Sequence, residues 1–424
     1  KHAQYWSKNF SWYGPAGIGT SKGMKIKLFL LGIAFALVSN ISWAGCGFTN
    51  VTEIRSLSNS FDAWKAVTEA MSECGNVTAT LDSEFKDKQP DAFAANPSLY
   101  EIGGVSGSTI TPLLNAGTIR PLDDLVAKYG QNLNPNQLIK IDGKIMGIAM
   151  SVNNQHLMYR KDIFDNLGIS EPKTHDDVLA AAEKIKAANV VDYPFGAAYK
   201  SGWNLAEEFV NMYLGNGGEF FGDGNSPAIN NAAGVKSLET MKKLTAYMDP
   251  EYLTSDSTYA QKQMQQEKIA MAYLWATRAA AMDNAEESKV VGKIIMASAP
   301  MGDVRPASTL WWDGIVIAKN ISDAKADAAF KVAMEGLDTE MVSAHNDDAV
   351  WLITGFKPGP SAAGASATAA NGAAPYPAGS RMGVMHTALG NGISDFLTGK
   401  KDAASALADI EAAYTSAAKE KGLM

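Results

Sequence analysis

Short apolar segments alternate with segments whose apolar residues recur at helical spacing, the pattern of an α/β chain. Val51–Leu57 alternates like a strand, Asp62–Ser72 follows with helical spacing, and Val77–Leu81 is strand-like again. Thr174 opens a helix with Asp177 three positions on, a capping box with Asp in place of Glu, and Ala180–Ala188 continues it. Ile269–Leu274 reads as a further strand. Gly215–Gly218 and Gly222–Asn225 predict turns, and the Ala, Gly, Ser and Pro of Pro358–Pro377 predict one long loop. No linker falls near the middle, so lobes assembled from discontinuous segments are expected rather than two domains in series.

One apolar run has a different character. Met24-Lys25-Ile26-Lys27 is a short basic start, Leu28–Val38 is apolar with one Gly, and Ser42 and Ala44 are small residues placed for cleavage after Ala44. Its 11 residues are about half of the ~20 that span a bilayer. Residues 24–44 are therefore read as a secretory signal peptide, and residues 1–23 as an upstream extension outside the fold. Export to the periplasm is the expectation, and no later stretch reaches the ~18 apolar residues of a membrane span.

Charge and cysteine content narrow the chemistry. The 424 residues carry a net charge of −8, and residues 1–44 hold five lysines and no acids. The remainder has 32 basic against 45 acidic residues, a net charge of −13. A nucleic-acid partner is not expected for such a chain. Cys46 and Cys74 are the two cysteines, and an oxidising compartment makes a disulfide between them the default. A competing reading is lipid attachment at Cys46, because Ala44-Gly45-Cys46 resembles the end of a lipobox, although Trp43 stands where an aliphatic residue belongs. Ser106 lacks the final Gly of a nucleophile elbow. His156, His175, His345 and His386 have no metal-binding spacing, and no phosphate-cradling Gly-rich loop follows a strand. His175, opening a helix, reads as solvated, as do the acid pairs Asp123-Asp124 and Asp347-Asp348. No cofactor, metal or catalytic residue is expected.

Asp142–Met150, Leu157–Phe164, Leu167-Gly168-Ile169 and Pro172-Lys173-Thr174 together closely resemble a signature of bacterial extracellular solute-binding proteins, in the type-1, sugar-binding group that includes the maltose-binding protein. Gly117–Leu125, Glu267–Ala272 (with Glu267 replacing the usual Gly) and Phe396–Lys400 with Ala403–Ala413 resemble further family blocks in the same order. The resemblance implies a two-lobed periplasmic-binding-protein fold of type II, with a hinge of crossing strands and a ligand cleft between the lobes. By it, lobe 1 is 45–152 plus 309–355 and lobe 2 is 153–308 plus 356–424. It also implies a monomeric, non-enzymatic receptor that hands a sugar to an ABC transporter permease.

A sugar presents hydroxyls at its edge and C–H groups on its faces, so its cleft needs planar polar groups and flat aromatic rings. Trp311 and Trp312 are adjacent on an expected strand and must point to opposite faces, so at least one faces a surface or the cleft. Asp313 adds a carboxylate that accepts two hydroxyls. By the resemblance, Trp275 and Arg278 follow a strand whose loop feeds the cleft, Trp203 lies in an aromatic-bearing segment of lobe 2, and Asn153 lies at the first hinge crossing. Asn59 and Glu84 follow the first two strands on the cleft side. Ser106 stands where some relatives place a Trp, a departure that argues against maltose itself. Trp64 and Trp351 are read as packing residues. The alternatives are a polyol, a cationic ligand such as a polyamine, which Arg278 in the cleft would disfavour, and a secreted carbohydrate-active enzyme.

Overall fold

Strands β1 (Ile54–Ser58), β2 (Val77–Leu81) and β3 (Ile102–Ser106) pair in parallel, with β1 in the middle. The computed structural model describes residues 45–424; the predicted signal peptide 24–44 and the extension 1–23 lie outside the described residues. β4 (Leu138–Ile141), β5 (Lys144–Asn153) and β10 (Thr309–Ile317) complete the first sheet, in the order β2-β1-β3-β10-β5-β4. The second sheet has β7 (Tyr193–Ala197), β8 (Ile269–Trp275), β6 (Gln155–Arg160) and β9 (Ile294–Ala297), in the order β7-β8-β6-β9. Helices cover both sheets, giving a mixed α/β, two-sheet architecture. No described helix is long and apolar enough to cross a membrane.

The chain passes from the first sheet to the second at Asn154, the one residue between β5 and β6, and returns between β9 and β10. β10 therefore enters the centre of the first sheet after the 298–308 segment that leaves the second. Both faces of the first sheet carry a core, one with Trp64, Phe330 and Trp351 and the other with Phe93, Trp312 and Leu352. The larger core of the second sheet gathers Phe195, Phe209, Tyr213 and Tyr414.

Three local expectations need correction. β1 begins at Ile54 rather than Val51, and it is largely buried on both faces because the Phe85–Ala94 and Asp323–Gly336 helices pack against it while parallel neighbours take its edges. The Pro358–Pro377 segment is not one loop: Ala363–Ala370 is a helix, and Ala374–Pro375 (β11) pairs with the start of β10. Alanine has the highest helix propensity, and small residues bring this helix close to the second sheet. A Cβ on Gly364 would lie 2.4 Å from His156 Nδ1. His175 is not solvated: its Nδ1 lies 2.9 Å from the Tyr273 hydroxyl, and burial pushes its pKa down to about 4.

Other expectations hold. Thr174 caps the His175–Ala188 helix with the reciprocal Asp177 bonds of a capping box. Cys46 and Cys74 form a disulfide that ties the segment before β1 to the end of the Asp62–Ser72 helix. The bond occupies the sulfur that a lipid thioether would need.

Candidate ligand cleft

β10 frames the site. In its register with β5, Trp311 faces Asn153 and Asp313 faces Ser151, while on its other side Asp313 faces Ser106 of β3. Directly opposed residues share a sheet face, so Ser106, Asp313 and Ser151 form a polar row beside the Trp311–Asn153 pair. A bulge follows Asp313. The next residue must be glycine, because a Cβ on Gly314 would lie 2.2 Å from the Ile148 carbonyl oxygen. A cavity of about 450 Å³ opens on this face, and Asn153, Thr277, Asp313, Phe61 and Asp347 are among its lining residues. Burial alone pushes the Asp313 carboxyl up to about 6.

An aromatic cluster borders the cavity, through Trp311 opposite Asn153 and through Trp275, which precedes the lining residue Ala276. Tyr376 stacks on Trp311, with ring centroids 4.3 Å apart and planes 29° apart. Trp203 lies 5.7 Å from Trp311 and 6.4 Å from Trp275, and remains 50% exposed. β11 supplies the placement of Tyr376, whose N–H donates to the Leu310 carbonyl at 3.1 Å. Burial lowers the pKa of His386. The neutral imidazole donates from Nε2 to the Trp203 carbonyl (2.9 Å) and accepts the Tyr376 hydroxyl at Nδ1 (2.7 Å). A large exposed ring such as Trp203, with aromatic neighbours and a polar rim, is a common recognition surface.

Beneath the cluster runs the Trp203–Gly215 helix, buried without interruption from Leu205 to Gly215. Glu207 on it accepts the Trp311 indole N–H at 3.1 Å and the Thr309 hydroxyl at 2.5 Å. Desolvation pushes Glu207 up to about 7 and Glu208 up to about 8.

Of the sequence-predicted residues, Asn153 and Asp313 line the cavity. Trp311 pairs with Asn153 across the strands, Trp275 precedes the lining residue Ala276, Trp203 joins both in the aromatic cluster, and Ser106 stands beside Asp313. The Ser106 hydroxyl is turned toward its own loop, 3.1 Å from Ser108 Oγ and 3.2 Å from Thr109 Oγ1. Asn59 accepts the Ser60 N–H (2.7 Å) and precedes Phe61 of the cavity wall by two residues. Three residues are not brought to the cavity. Trp312 is 2% exposed and packs in the core of the first sheet. Arg278 donates to Gln261 Oε1 at 3.0 Å and does not line the cavity, although Thr277 before it does. Glu84 is exposed at the start of the Phe85–Ala94 helix. Trp64 and Trp351 pack in the core as expected.

Tyr376, His386, Thr277 and Glu207 went unread in the sequence. Glu207-Glu208 had a signal, two acids inside a run from Leu205 to Leu214 whose one other strongly polar residue is Asn211. Tyr376 had none, because the short strand that places it pairs with residues more than 60 positions away.

A probable sugar-binding periplasmic protein of Mesorhizobium japonicum is 29% identical over 160 residues, which is 35% of this chain and 38% of that protein. The sn-glycerol-3-phosphate-binding periplasmic protein of Brucella abortus is 27% identical over 198 residues, 42% of each chain. The matches thus span about two fifths of these curated relatives. The crystal structure of a cyclic alpha-maltosyl-1,6-maltose binding protein from Arthrobacter globiformis superposes with a TM-score of 0.68 at 19% identity, covering 87% of this chain and 99% of that one. That likeness establishes the shared two-lobed fold. The family model for the bacterial extracellular solute-binding proteins matches residues 61–335, and the chain belongs to that family.

Proposed function

We propose that this chain is a periplasmic receptor that captures a carbohydrate or polyol in the cleft along β10 and delivers it to an ABC import permease. The observation that carries the reading is the shared face of Trp311 and Asp313, one offering a ring for C–H faces and the other a carboxylate for hydroxyls. Asn153 and Thr277 add polar groups across the same cavity, and the Asn153 Oδ1 accepts the Thr277 N–H at 3.3 Å. The sugar-binding relative and the structural likeness to a maltosyl-maltose receptor support it.

The ligand of this reading is uncharged. Asp313, Asp347 and Asp348 line the cavity, and no Lys or Arg does among the described residues. A phosphate ester of the kind named for the Brucella relative would meet like charge without a cation. The same three carboxylates favour a second reading, an amino-bearing sugar or polyamine, and Arg278 does not oppose it because it lies off the lining.

Lobe 1 as 45–152 plus 309–355 and lobe 2 as 153–308 plus 356–424 remain part of this proposal, supported by the sheet crossings at Asn154 and between β9 and β10. Capture without chemistry is also part of it. Titration calorimetry of the mature protein with maltose, maltotriose, ribitol, mannitol, glucosamine and spermidine tests the reading, with each mixture analysed afterwards for cleavage. Saturable binding of an intact neutral sugar or polyol is the expected result. Binding of glucosamine or spermidine alone moves the assignment to the cationic class, and a hydrolysed oligosaccharide moves it to an enzyme.

A further inference from the structure

Trp203 and Glu207 are one helical turn apart, so a single face of one helix presents a cleft ring and, one turn deeper, a carboxylate. Both converge on Trp311. Trp203 approaches its ring at 5.7 Å, Tyr376 stacks on it at 4.3 Å, and Glu207 Oε1 takes its N–H at 3.1 Å. The same oxygen receives the Thr309 hydroxyl, two residues earlier on β10. Glu207 is fully buried, and its other oxygen, Oε2, has no hydrogen-bond partner among the described residues.

We propose that Glu207 is a positioning residue for ligand capture, gripping Trp311 by its indole N–H so that the ring face stays presented to the cleft. The proposal rests on the cleft reading given above.

Fold stability alone does not account for this acid. A carboxyl buried in a mostly apolar helix is costly to desolvate, and an aliphatic side chain would pack there with less desolvation. A half-buried indole on a cleft face needs a partner for its N–H, however, and stacking on Tyr376 fixes the plane of the ring but not the direction of that N–H. Glu207 meets that need from the second-sheet side while Trp311 rides on a strand of the first sheet. The contact therefore holds the Trp311 ring and the strand that follows the second crossing in one arrangement. Preorganisation of this kind raises affinity by removing the ordering that binding would otherwise require.

The proposal is tested by a double-mutant cycle on the full mature protein. Affinities for maltose, maltotriose, ribitol and mannitol are measured by calorimetry for wild type, Glu207→Leu, Glu207→Gln, Trp311→Ala and the Glu207→Leu/Trp311→Ala double variant. In parallel, the Trp311 indole N–H resonance of the unliganded protein is followed by NMR, assigned with Trp311→Phe. Glu207→Leu is expected to weaken binding about tenfold and to shift the Trp311 indole resonance, because the preorganised contact is lost. Glu207→Gln, which keeps an acceptor oxygen, should restore most of the affinity. In the Trp311→Ala background Glu207→Leu should add no further loss. If Glu207→Leu does not fold, Trp311→Phe, which deletes the same hydrogen bond from the other side, must show the same loss.

Unchanged affinity on Glu207→Leu or Trp311→Phe, while Trp311→Ala weakens binding, overturns the positioning role and leaves the cleft reading intact. An equal loss from Glu207→Leu in the Trp311→Ala background also overturns it, since the effect then bypasses Trp311. Full affinity in Trp311→Ala removes the cleft reading itself, and the positioning role with it.

Discussion

Trp311 and Trp312 are neighbours in sequence and occupy opposite faces of β10: the first stacks with Tyr376 at the cleft, and the second is 2% exposed in the core of the first sheet. Their substitutions should separate binding from stability. Trp312→Ala is expected to destabilise the fold by about 3–5 kcal/mol, the usual range for deleting a buried Trp, with little change in the affinity of the molecules that remain folded. Trp311→Ala should do the reverse, and Trp64→Ala should resemble Trp312→Ala. Denaturant unfolding and sugar titration of the three variants measure both quantities.

Asp313 should make binding pH-dependent. Its carboxyl is raised to about 6 by burial, so it is ionised at neutral pH and neutral below that value. A hydrogen bond to the charged form is worth about 1.5–3 kcal/mol. Affinity for a neutral sugar is therefore expected to fall as pH drops from 7.5 to 5, and the Asp313→Asn variant should be weaker throughout with a flatter profile. Calorimetry at the two pH values decides it; a wild-type affinity constant across this range would count against Asp313 as a ligand acceptor.

Glu208 should govern stability at the alkaline side. It is fully buried with Oε1 unpartnered among the described residues, and desolvation raises it from 4.5 to about 8. Because the folded-state pKa lies above the unfolded one, its contribution is fully present below pH 4.5 and is lost as pH rises toward 8. Glu208→Gln is expected to match wild type near pH 5 and to exceed it at pH 8 by roughly 2–4 kcal/mol. Urea midpoints at both pH values provide the measurement.

The Cys46–Cys74 disulfide closes a loop across β1 and its following helix. For a separation of 28 residues, loss of the cross-link as Cys74→Ser should lower unfolding free energy by about 3 kcal/mol, with ligand affinity unchanged. A thermal melt under oxidising conditions, compared with reduced wild type, checks the size and the cause.

The alternation of strands and helices, the capped helix at Thr174, the disulfide pair and the family signature from Asp142 to Thr174 were all legible along the chain. Each depends on residues close in sequence, or on chemistry that few residue types supply. The separation of Trp311 from Trp312 was legible for the same reason, since a strand's side chains alternate whatever surrounds it.

Which of the two Trp residues meets the cleft was not, because that depends on the sheet order that places β10 between β3 and β5 and on the helices that cover one face. Tyr376 and His386 joined the site through a two-residue strand paired with β10 and a hydrogen bond to the Trp203 carbonyl. The buried pKa values of Glu207 and Asp313 likewise arise from desolvation by distant segments. Sequence by itself determined the periodicity, the available chemistry and the family of this protein. Tertiary structure alone decided which of those groups share a cavity, because burial and contact are set by pairings between residues tens to hundreds of positions apart.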